Sequence, residues 1–449
     1  MTTALGPRTL VLFVGDIFFF TFSLWLSLYV RTGAVPSQEL FVDAHLVPFS
    51  LLFVAWIVVF FIAGLYESRL LMFARRELTA TLMSAQVANV IIAAVFFFFV
   101  PLFGIAPKTL LVIYSVISFL LVLLWRAFIF PHLGLQKKEA AVVVGSGVEV
   151  DELVRALRGA PRGPVTICET IAPGEDLSAR VADTLNRCRP TFVIAHWQNP
   201  RVARAFPALT QLLRRGVRFI DAMSLYEEVF GRVPLSVVDD RWLARNVSRY
   251  AHTLYDPLKR AMDIVVALPA ALLSLIFYPF IIAAIYLDDG GSPFVSLPRV
   301  GEGGHTIRIL KFRSMTGNDA GDYGAEGTSK LRVTRVGKWL RLFRIDELPQ
   351  LWEVVAGTQS LIGPRPETPS LVQIYEKEIP YYNVRHIIKP GLSGWAQLYH
   401  DNHPHAVTDV KATSEKLSYD LYYLKHRSLV LDAVIILKTI KKLITRSGV

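Results

Sequence analysis

Cysteine is nearly absent from this chain: 449 residues contain two, Cys168 and Cys188, with no Cys-x-x-Cys pair. That excludes a disulfide scaffold and a thiolate zinc site. Charged residues are also sparse, at 19% against 53% apolar residues, a balance that requires membrane segments. Acids are in deficit, leaving a net charge of +11. The basic residues gather beside apolar segments and do not interleave with aromatics along a polar face, which favours membrane and phosphate over nucleic acid. A dinucleotide fingerprint is missing as well. Gly145-Ser146-Gly147 would need a further glycine where Val150 stands, and a lone Gly-x-Gly is a weak signal.

What the chain has in quantity is long apolar runs. Leu10–Val30, Leu46–Tyr66, Thr81–Phe103 and Leu110–Phe130 each have about 20 residues, the length of a bilayer-spanning helix. The first is too long for a signal-peptide core and lacks a small-residue cleavage site. Arg8, Arg69, Arg75, Arg76, Arg126, Lys137 and Lys138 fall at one set of ends, and only Arg31 and Lys108 at the other. The positive-inside rule therefore predicts a cytoplasmic N-terminus and a cytoplasmic chain beyond Lys137. Asp16 is the acid within these runs; it reads as a functional group or as a helix-to-helix hydrogen bond, and with no partner motif in sequence the second is preferred.

The four runs occupy residues 1–136. Over residues 137–240, strand patterns at Ala140–Gly147, Val165–Cys168, Phe192–Ala195 and Val217–Ile220 alternate with helical ones at Glu149–Leu157 and Val202–Leu213. That alternation predicts a Rossmann-like α/β domain with a parallel sheet. Residues 241–257 read as a connector, and 258–449 as a further domain. The latter opens on a fifth apolar stretch, Ala261–Leu287, which contains Pro269 and Pro279. Lys259 and Arg260 precede it, and Arg299, Arg308, Lys311 and Arg313 follow. Crossing the bilayer would leave one basic flank on the wrong side, so the prediction is a re-entrant helix that bends at proline and returns. Asp319–Lys330 reads as a loop, and Leu429–Ile444, with Lys438, Lys441 and Lys442, as an interfacial amphipathic helix.

The candidate chemistry lies between Arg341 and Glu367. Asp346 reads as a helix N-cap because Leu348, Leu351, Trp352 and Val355 follow at helical spacing. A helix start favours an ionised carboxylate and attracts phosphate. In Gly363-Pro364-Arg365-Pro366-Glu367 the prolines hold Arg365 at a set angle. Asp346 and Glu347, bracketed by Arg341, Arg344 and Arg365, suit chemistry on a phosphate ester; a plain capped helix with surface charges is the alternative. His400, His403 and His405 read as a loop or sugar contact, since Pro404 breaks any helical register that would align them on a metal. Trp395, flanked by glycine, reads as a stacking platform or a core residue.

In order along the chain come Lys259-Arg260-x-x-Asp263, Arg299-x-Gly301, Lys311-Phe312-Arg313-Ser314-Met315, Asp346-Glu347-Leu348-Pro349-Gln350-Leu351-Trp352, Gly363–Glu367 and Pro390–Gln397. That ordered set resembles the bacterial polyprenyl-phosphate sugar-1-phosphate transferases of the monotopic phosphoglycosyl transferase superfamily. The whole plan resembles their long form, with four N-terminal transmembrane helices and a Rossmann-like middle domain. The resemblance implies an α plus α/β membrane protein with a four-helix transmembrane bundle and a mainly helical interfacial catalytic domain. It implies transfer of a sugar-1-phosphate from a nucleoside diphosphate sugar, such as a UDP-hexose, to undecaprenyl phosphate, an opening step of exopolysaccharide, capsule or O-antigen synthesis. Asp346 would be the nucleophile and Glu347 a ligand of Mg²⁺ or a proton handler. Lys311, Arg313, Arg365, Arg341, Arg344 and Arg299 would meet phosphate, Trp395 and Gln397 would meet substrate, and Lys259, Arg260, Asp263 and Pro279 would belong to the re-entrant helix. A bacterial inner membrane with the catalytic domain facing the cytoplasm is implied; a homo-oligomer is left open.

The sequence departs from the family pattern at Glu353, often Asn, at Thr358-Gln359, often Asp-Met, and at Tyr278, often Ser. The rival reading is a membrane-bound NAD-dependent nucleotide-sugar dehydratase. It would use the Tyr255/Lys259 spacing, but Pro257 lies between those residues and the glycine fingerprint fails at Val150.

Overall fold

A computed structural model of the chain describes residues 7–63, 65–66, 75–99, 108–133, 139–159, 165–174, 177–204, 216–247, 255–316, 332–399 and 409–445. Arg69, Lys137, Lys138, the Asp319–Lys330 stretch, and His400, His403 and His405 lie outside the described residues. The chain divides into two compact units, Met1–Val229 and Phe230–Val449.

The first unit begins with α1 (Pro7–Thr32), α2 (Val47–Ile62), α3 (Arg75–Phe99) and α4 (Lys108–Leu124). Helix α1 packs along α4, and α3 packs on both α2 and α4. Leu10–Thr32, Glu39–Phe61 and Thr109–His132 are long and apolar enough to cross a membrane, whereas in α3 the apolar part is the shorter Thr81–Phe97. Polar residues interrupt α3 for a packing reason. Gln86 donates to the Ser118 hydroxyl (2.7 Å) and the Ser115 carbonyl (3.1 Å), fastening α3 to α4. Asp16 has a stronger partner than a helix-to-helix hydrogen bond. Arg126 donates to both its oxygens, at 3.0 and 2.5 Å, and Tyr66 adds a third bond at 2.7 Å. The third Arg126 nitrogen, Nη1, donates to the Leu65 carbonyl at 2.5 Å. A desolvated pair persists when its polar atoms are satisfied in this way. Close approach of the same two helical segments puts the Trp125 indole against Gly15, where a Cβ would collide with it.

Next come β1 (Glu139–Val144), α5 (Val148–Arg158), β2 (Val165–Ile171), α6 (Leu177–Cys188), β3 (Phe192–Ala195), α7 (Pro200–Arg204), β4 (Arg218–Asp221) and α8 (Ala222–Phe230). The strands form a parallel sheet in the order β2-β1-β3-β4, as the strand–helix alternation predicts. The helix expected over Val202–Leu213 is described as far as Arg204. Such sheets bind ligands where the strand order reverses, here between the ends of β1 and β3. At that point a Cβ on Gly145 would press on His196. The first turn of α5 carries Glu149 and Asp151, so the positive helix end is already met by side-chain charge.

The second unit contains α9 (Asp240–Asn246), then α10 (Tyr255–Ser274) and α11 (Tyr278–Asp289), which meet at 57°. Pro269 is accommodated inside α10, whereas Pro279 sits in the first turn of α11, where a missing N–H costs nothing. The bend therefore belongs to the second proline. Both helices leave apolar side chains uncovered, among them Val265 (70% exposed), Phe280 (73%) and Leu287 (84%). There follow a hairpin of β5 (Phe294–Val300) and β6 (Thr306–Phe312), then α12 (Arg335–Leu342), α13 (Gln350–Ala356), β7 (Ser360–Ile362), α14 (Pro369–Glu378), β8 (Gly391–Ser393), α15 (Trp395–Tyr399), α16 (Val410–His426) and α17 (Leu429–Thr445). Helix α13 packs on α10, and α12 on α11, so the stretch carrying Asp346 is built directly on the bent helix pair. Arg260 of α10 fastens that contact by donating to the Val354 and Val355 carbonyls, both at 2.6 Å. It thereby caps the carbonyl end of α13.

Candidate active site

Asp346 is not a helix N-cap. It lies in a 3-10 turn, Ile345–Glu347, and α13 begins only at Gln350, behind Pro349. Proline pre-sets the backbone for a first helical turn, so the helix starts there and not at the acid. Arg344, just before the turn, adopts left-handed backbone with φ 53°. That conformation is uncommon for a side chain with a Cβ and is typical of functional turns. The turn buries Asp346, which is 9% exposed.

The two adjacent acids have opposite surroundings. Glu347 accepts a hydrogen bond from Lys311 Nζ on β6 at 2.9 Å, and Arg365 lies 3.4 Å from the same oxygen. Arg344 is 3.8 Å from the other oxygen. Burial alone would raise the Glu347 pKa, but Lys311, Arg365 and Arg344 outweigh it and hold the group well below the usual carboxylate range. Asp346 has no ion-pair partner within 4 Å among the described residues. Burial, reinforced by the negative charge of Glu347, pushes it up to about 6 against the pull of Lys311, Arg341 and Arg365. Adjacent carboxyls driven apart in this way are suited to different tasks.

The cations are placed by backbone. Lys311 rides the β5–β6 hairpin. Arg365 is fixed because Gly363 N–H donates to the Ser393 carbonyl and Gly391 N–H to the Pro364 carbonyl, both at 2.9 Å. A Cβ at Gly363 or Gly391 would meet the opposing backbone, so the two glycine-containing motifs close on one another as only glycine permits. Below them lies a buried charge net. Arg385 donates to Asp420 (2.9 Å), to the Tyr382 hydroxyl (2.9 Å) and to the Arg365 carbonyl (3.0 Å), while Lys416 donates to Glu367.

Residues 254–446 match the family profile described as Bacterial sugar transferase, and residues 61–176 match one described as CoA-binding domain. The Exopolysaccharide production protein PSS of Rhizobium leguminosarum bv. phaseoli is 36% identical over 195 residues, 42% of this chain and 96% of that protein. The chain belongs to the bacterial sugar transferase family. Its N-terminal apolar helices and that family make it membrane-associated. A UDP-glucose:undecaprenyl-phosphate glucose-1-phosphate transferase of Caulobacter vibrioides is 37% identical over 194 residues, 42% of this chain and 71% of that protein. The UDP-N-acetylgalactosamine-undecaprenyl-phosphate N-acetylgalactosaminephosphotransferase of Aeromonas hydrophila is 41% identical over 227 residues, 49% of this chain and 51% of that protein. The chain spans about half or less of the first curated relatives it matches, at 51%, 40% and 33% of their lengths.

Within this site the structure brings Lys311, Arg344 and Arg365 to Glu347, and Arg341 into the field of Asp346. Arg299 shares the Lys311 face of the hairpin, since it pairs with Ile307 as Val295 pairs with Lys311, but it forms no ion pair with either acid. Arg313 is turned away: it pairs with Asp289 at the end of α11, and its guanidinium lies on Gly291. Trp395 is a core residue and not a stacking platform. Its indole N–H donates to the Gly231 carbonyl at 2.6 Å, and Tyr422 stacks on it at 5.5 Å. Gln397 is 3% exposed, and its backbone carbonyl accepts from Lys442 at 3.1 Å. Lys259 and Asp263 are structural neighbours. Lys259 lies 3.3 Å from Asp432, and Asp263 accepts the Leu361 N–H at 3.1 Å. Tyr255 bonds Asp432 as well, at 2.8 Å. The Tyr255/Lys259 pair of the dehydratase reading is thus part of a packing cluster, and that reading is not supported.

Sequence reasoning placed Arg126 at a membrane end without its pairing to Asp16, and gave no role to Arg385, Asp420 or Lys416. Their partners are remote in the chain, and a buried charge in a half-apolar helix such as α16 is the signal that could have pointed to the last two.

Proposed function

We propose that the protein transfers a sugar-1-phosphate from a UDP-hexose to undecaprenyl phosphate, using Asp346 as nucleophile. The observation that carries this is the division of labour between two neighbouring acids. Glu347 is committed to Lys311, Arg344 and Arg365, while Asp346 is buried, unpaired among the described residues and more basic than an ordinary aspartate. The named activities of the relatives support the substrate class.

In the proposed reaction an Asp346 oxygen bonds to the sugar-bearing phosphorus as the bond to the bridging oxygen breaks, and UMP leaves with that electron pair. A phosphate oxygen of the lipid then attacks the same phosphorus, the bond to Asp346 breaks, and the carboxylate returns. Lys311, Arg365, Arg341 and Arg344 neutralise the diphosphate so that an anion can approach it. Magnesium is commonly held by one or two carboxylates, with phosphates and water completing its shell. Glu347 fits that role through the oxygen that does not bond Lys311, which lies 3.8 Å from Arg344; no group of three or more potential protein ligands converges among the described residues, so substrate oxygens would supply the rest. When bound, the ion would add charge neutralisation at the diphosphate.

The test is release of UMP by detergent-solubilised protein given a panel of UDP-sugars and undecaprenyl phosphate. One UDP-sugar should release UMP in a lipid-dependent way, chelation should stop release, and added Mg²⁺ should restore it. No release from any of the panel would refute the activity.

The site is further proposed to face the cytoplasmic side of a bacterial inner membrane, in a chain with four N-terminal spans, with α10 and α11 entering and leaving by the same face. Basic residues before α10 and after α11, together with the 57° bend, support this. In a background lacking Cys168 and Cys188, cysteines at Leu258 and Ser292 should both be labelled from the cytoplasm only. Labelling of the two from opposite sides would show a crossing.

A further inference from the structure

Glu353 stands on α13, two turns beyond the acidic pair, and its side chain reaches the hairpin. The register of that hairpin explains why a carboxylate is there. Arg313 N–H bonds the Pro293 carbonyl at 2.9 Å, and Phe294 pairs with Phe312, Ser296 with Leu310 and Pro298 with Arg308. In an antiparallel ladder alternate residues bond across the pair, so the odd-numbered residues of β6 face β5 and the even-numbered ones point outward. Pro298, without an N–H, fits at an outward position of β5. Leu310 N–H is an outward edge donor, and Glu353 accepts it at 2.5 Å. On the opposite edge, outward-facing Val300 N–H donates to the Glu367 carbonyl at 2.9 Å. The hairpin is thus clipped on one edge by Glu353 and on the other by the stretch that carries Arg365. Lys311, the residue next to Leu310, is the one whose ammonium reaches Glu347 at 2.9 Å.

We propose that Glu353 is a positioning residue of the transferase: by accepting the edge N–H of Leu310 it fixes the segment that presents Lys311 to Glu347. Its second oxygen is buried without a hydrogen-bond partner among the described residues. Burial pushes its carboxyl up to about 7, so near neutrality a large share is protonated and the carbonyl acceptor alone is retained. Glutamine offers the same acceptor, whereas alanine offers none. The role deepens the transfer reaction proposed above and rests on it for the kinetic arm of the test.

Hydrogen exchange of the full-length protein in detergent reads the clip without substrate. Glu353→Ala should speed exchange at the Leu310 and Lys311 amides, and Glu353→Gln should leave them protected as in the native chain. In UMP release, Glu353→Ala should lower kcat/KM about tenfold, the upper scale of one neutral hydrogen bond, and Glu353→Gln should restore most of that loss. Added to Lys311→Met, Glu353→Ala should bring little further loss, because residues acting through one contact are not additive. Unchanged exchange in Glu353→Ala, a Glu353→Gln variant as impaired as the alanine, or full additivity with Lys311→Met would each overturn the proposal. Absence of turnover by the native chain would overturn the transfer reaction instead, with the exchange arm still deciding the clip.

Discussion

Replacing Asp346 by Asn should lower UMP release at least about a thousandfold while leaving the protein folded, because an amide cannot serve as the attacking carboxylate. The stability arm has a definite sign. Burial and the neighbouring Glu347 raise the Asp346 pKa to about 6 in the folded protein, above the ordinary value of about 4 in an unfolded chain. The folded state therefore binds this proton more tightly, and above pH 6 the ionised carboxylate opposes folding; that cost is relieved as pH falls toward 4. Asparagine removes it at all pH values, so the variant should melt no lower than the native protein in detergent at pH 7.5. Turnover by the native protein should decline as pH drops through about 6, because Asp346 must be ionised to attack. An Asp346→Asn variant that keeps more than a few per cent of activity would remove Asp346 from the chemistry.

The largest loss of stability is expected at Arg385, remote in sequence from both acids. Its guanidinium is 1% exposed, Asp420 beside it is 2% exposed, and it holds the Arg365 carbonyl at 3.0 Å. Arg385→Ala would strand Asp420 in the interior and cost about 3–5 kcal/mol, as breaking one partner of a buried pair does. For a unit of this size that is an apparent Tm lowered by about 10 °C. Lysine keeps the charge but not the fork that serves Asp420, Tyr382 and the Arg365 backbone together, so Arg385→Lys should fall between the native chain and the alanine. Activity should fall further than unfolding accounts for, since Arg365 loses its tether. A melting temperature within a degree of native for Arg385→Ala would show that Lys416 and Glu367 support the stretch without it.

The sequence carried the local signals well. Short apolar runs alternating with helical patterns placed the four strands of the parallel sheet within a few residues, and the proline-broken apolar stretch is a bent pair of helices. Pairings between distant residues were not legible. Asp16 and Arg126 are 110 positions apart, and no local pattern links them; only the cost of an unpaired charge among apolar helices says that a partner must exist. The N-cap reading of Asp346 failed because helical spacing of Leu348, Leu351 and Trp352 starts a register before the backbone does, and Pro349 decides where the helix begins. Arg313 and Trp395 stand in motifs that carry the family resemblance, yet one is spent on Asp289 and the other on the Gly231 carbonyl. Proximity in sequence to a functional residue does not fix which way a long side chain turns. The hairpin register that puts Leu310 at the edge, and so gives Glu353 a role, is set by the Phe294–Phe312 pairing and could not be read from either strand alone.

The central claim is that Asp346 becomes covalently attached to the phospho-sugar. The direct measurement is to incubate the detergent-solubilised protein with its UDP-sugar in the absence of undecaprenyl phosphate, quench at acidic pH, and weigh the protein and its peptides. The account predicts a burst of UMP no larger than one equivalent, a mass gain equal to one sugar-1-phosphate on the peptide containing Asp346, and loss of that mass on adding undecaprenyl phosphate. No UMP until the lipid is added, or the added mass on Glu347 or any other residue, would contradict it.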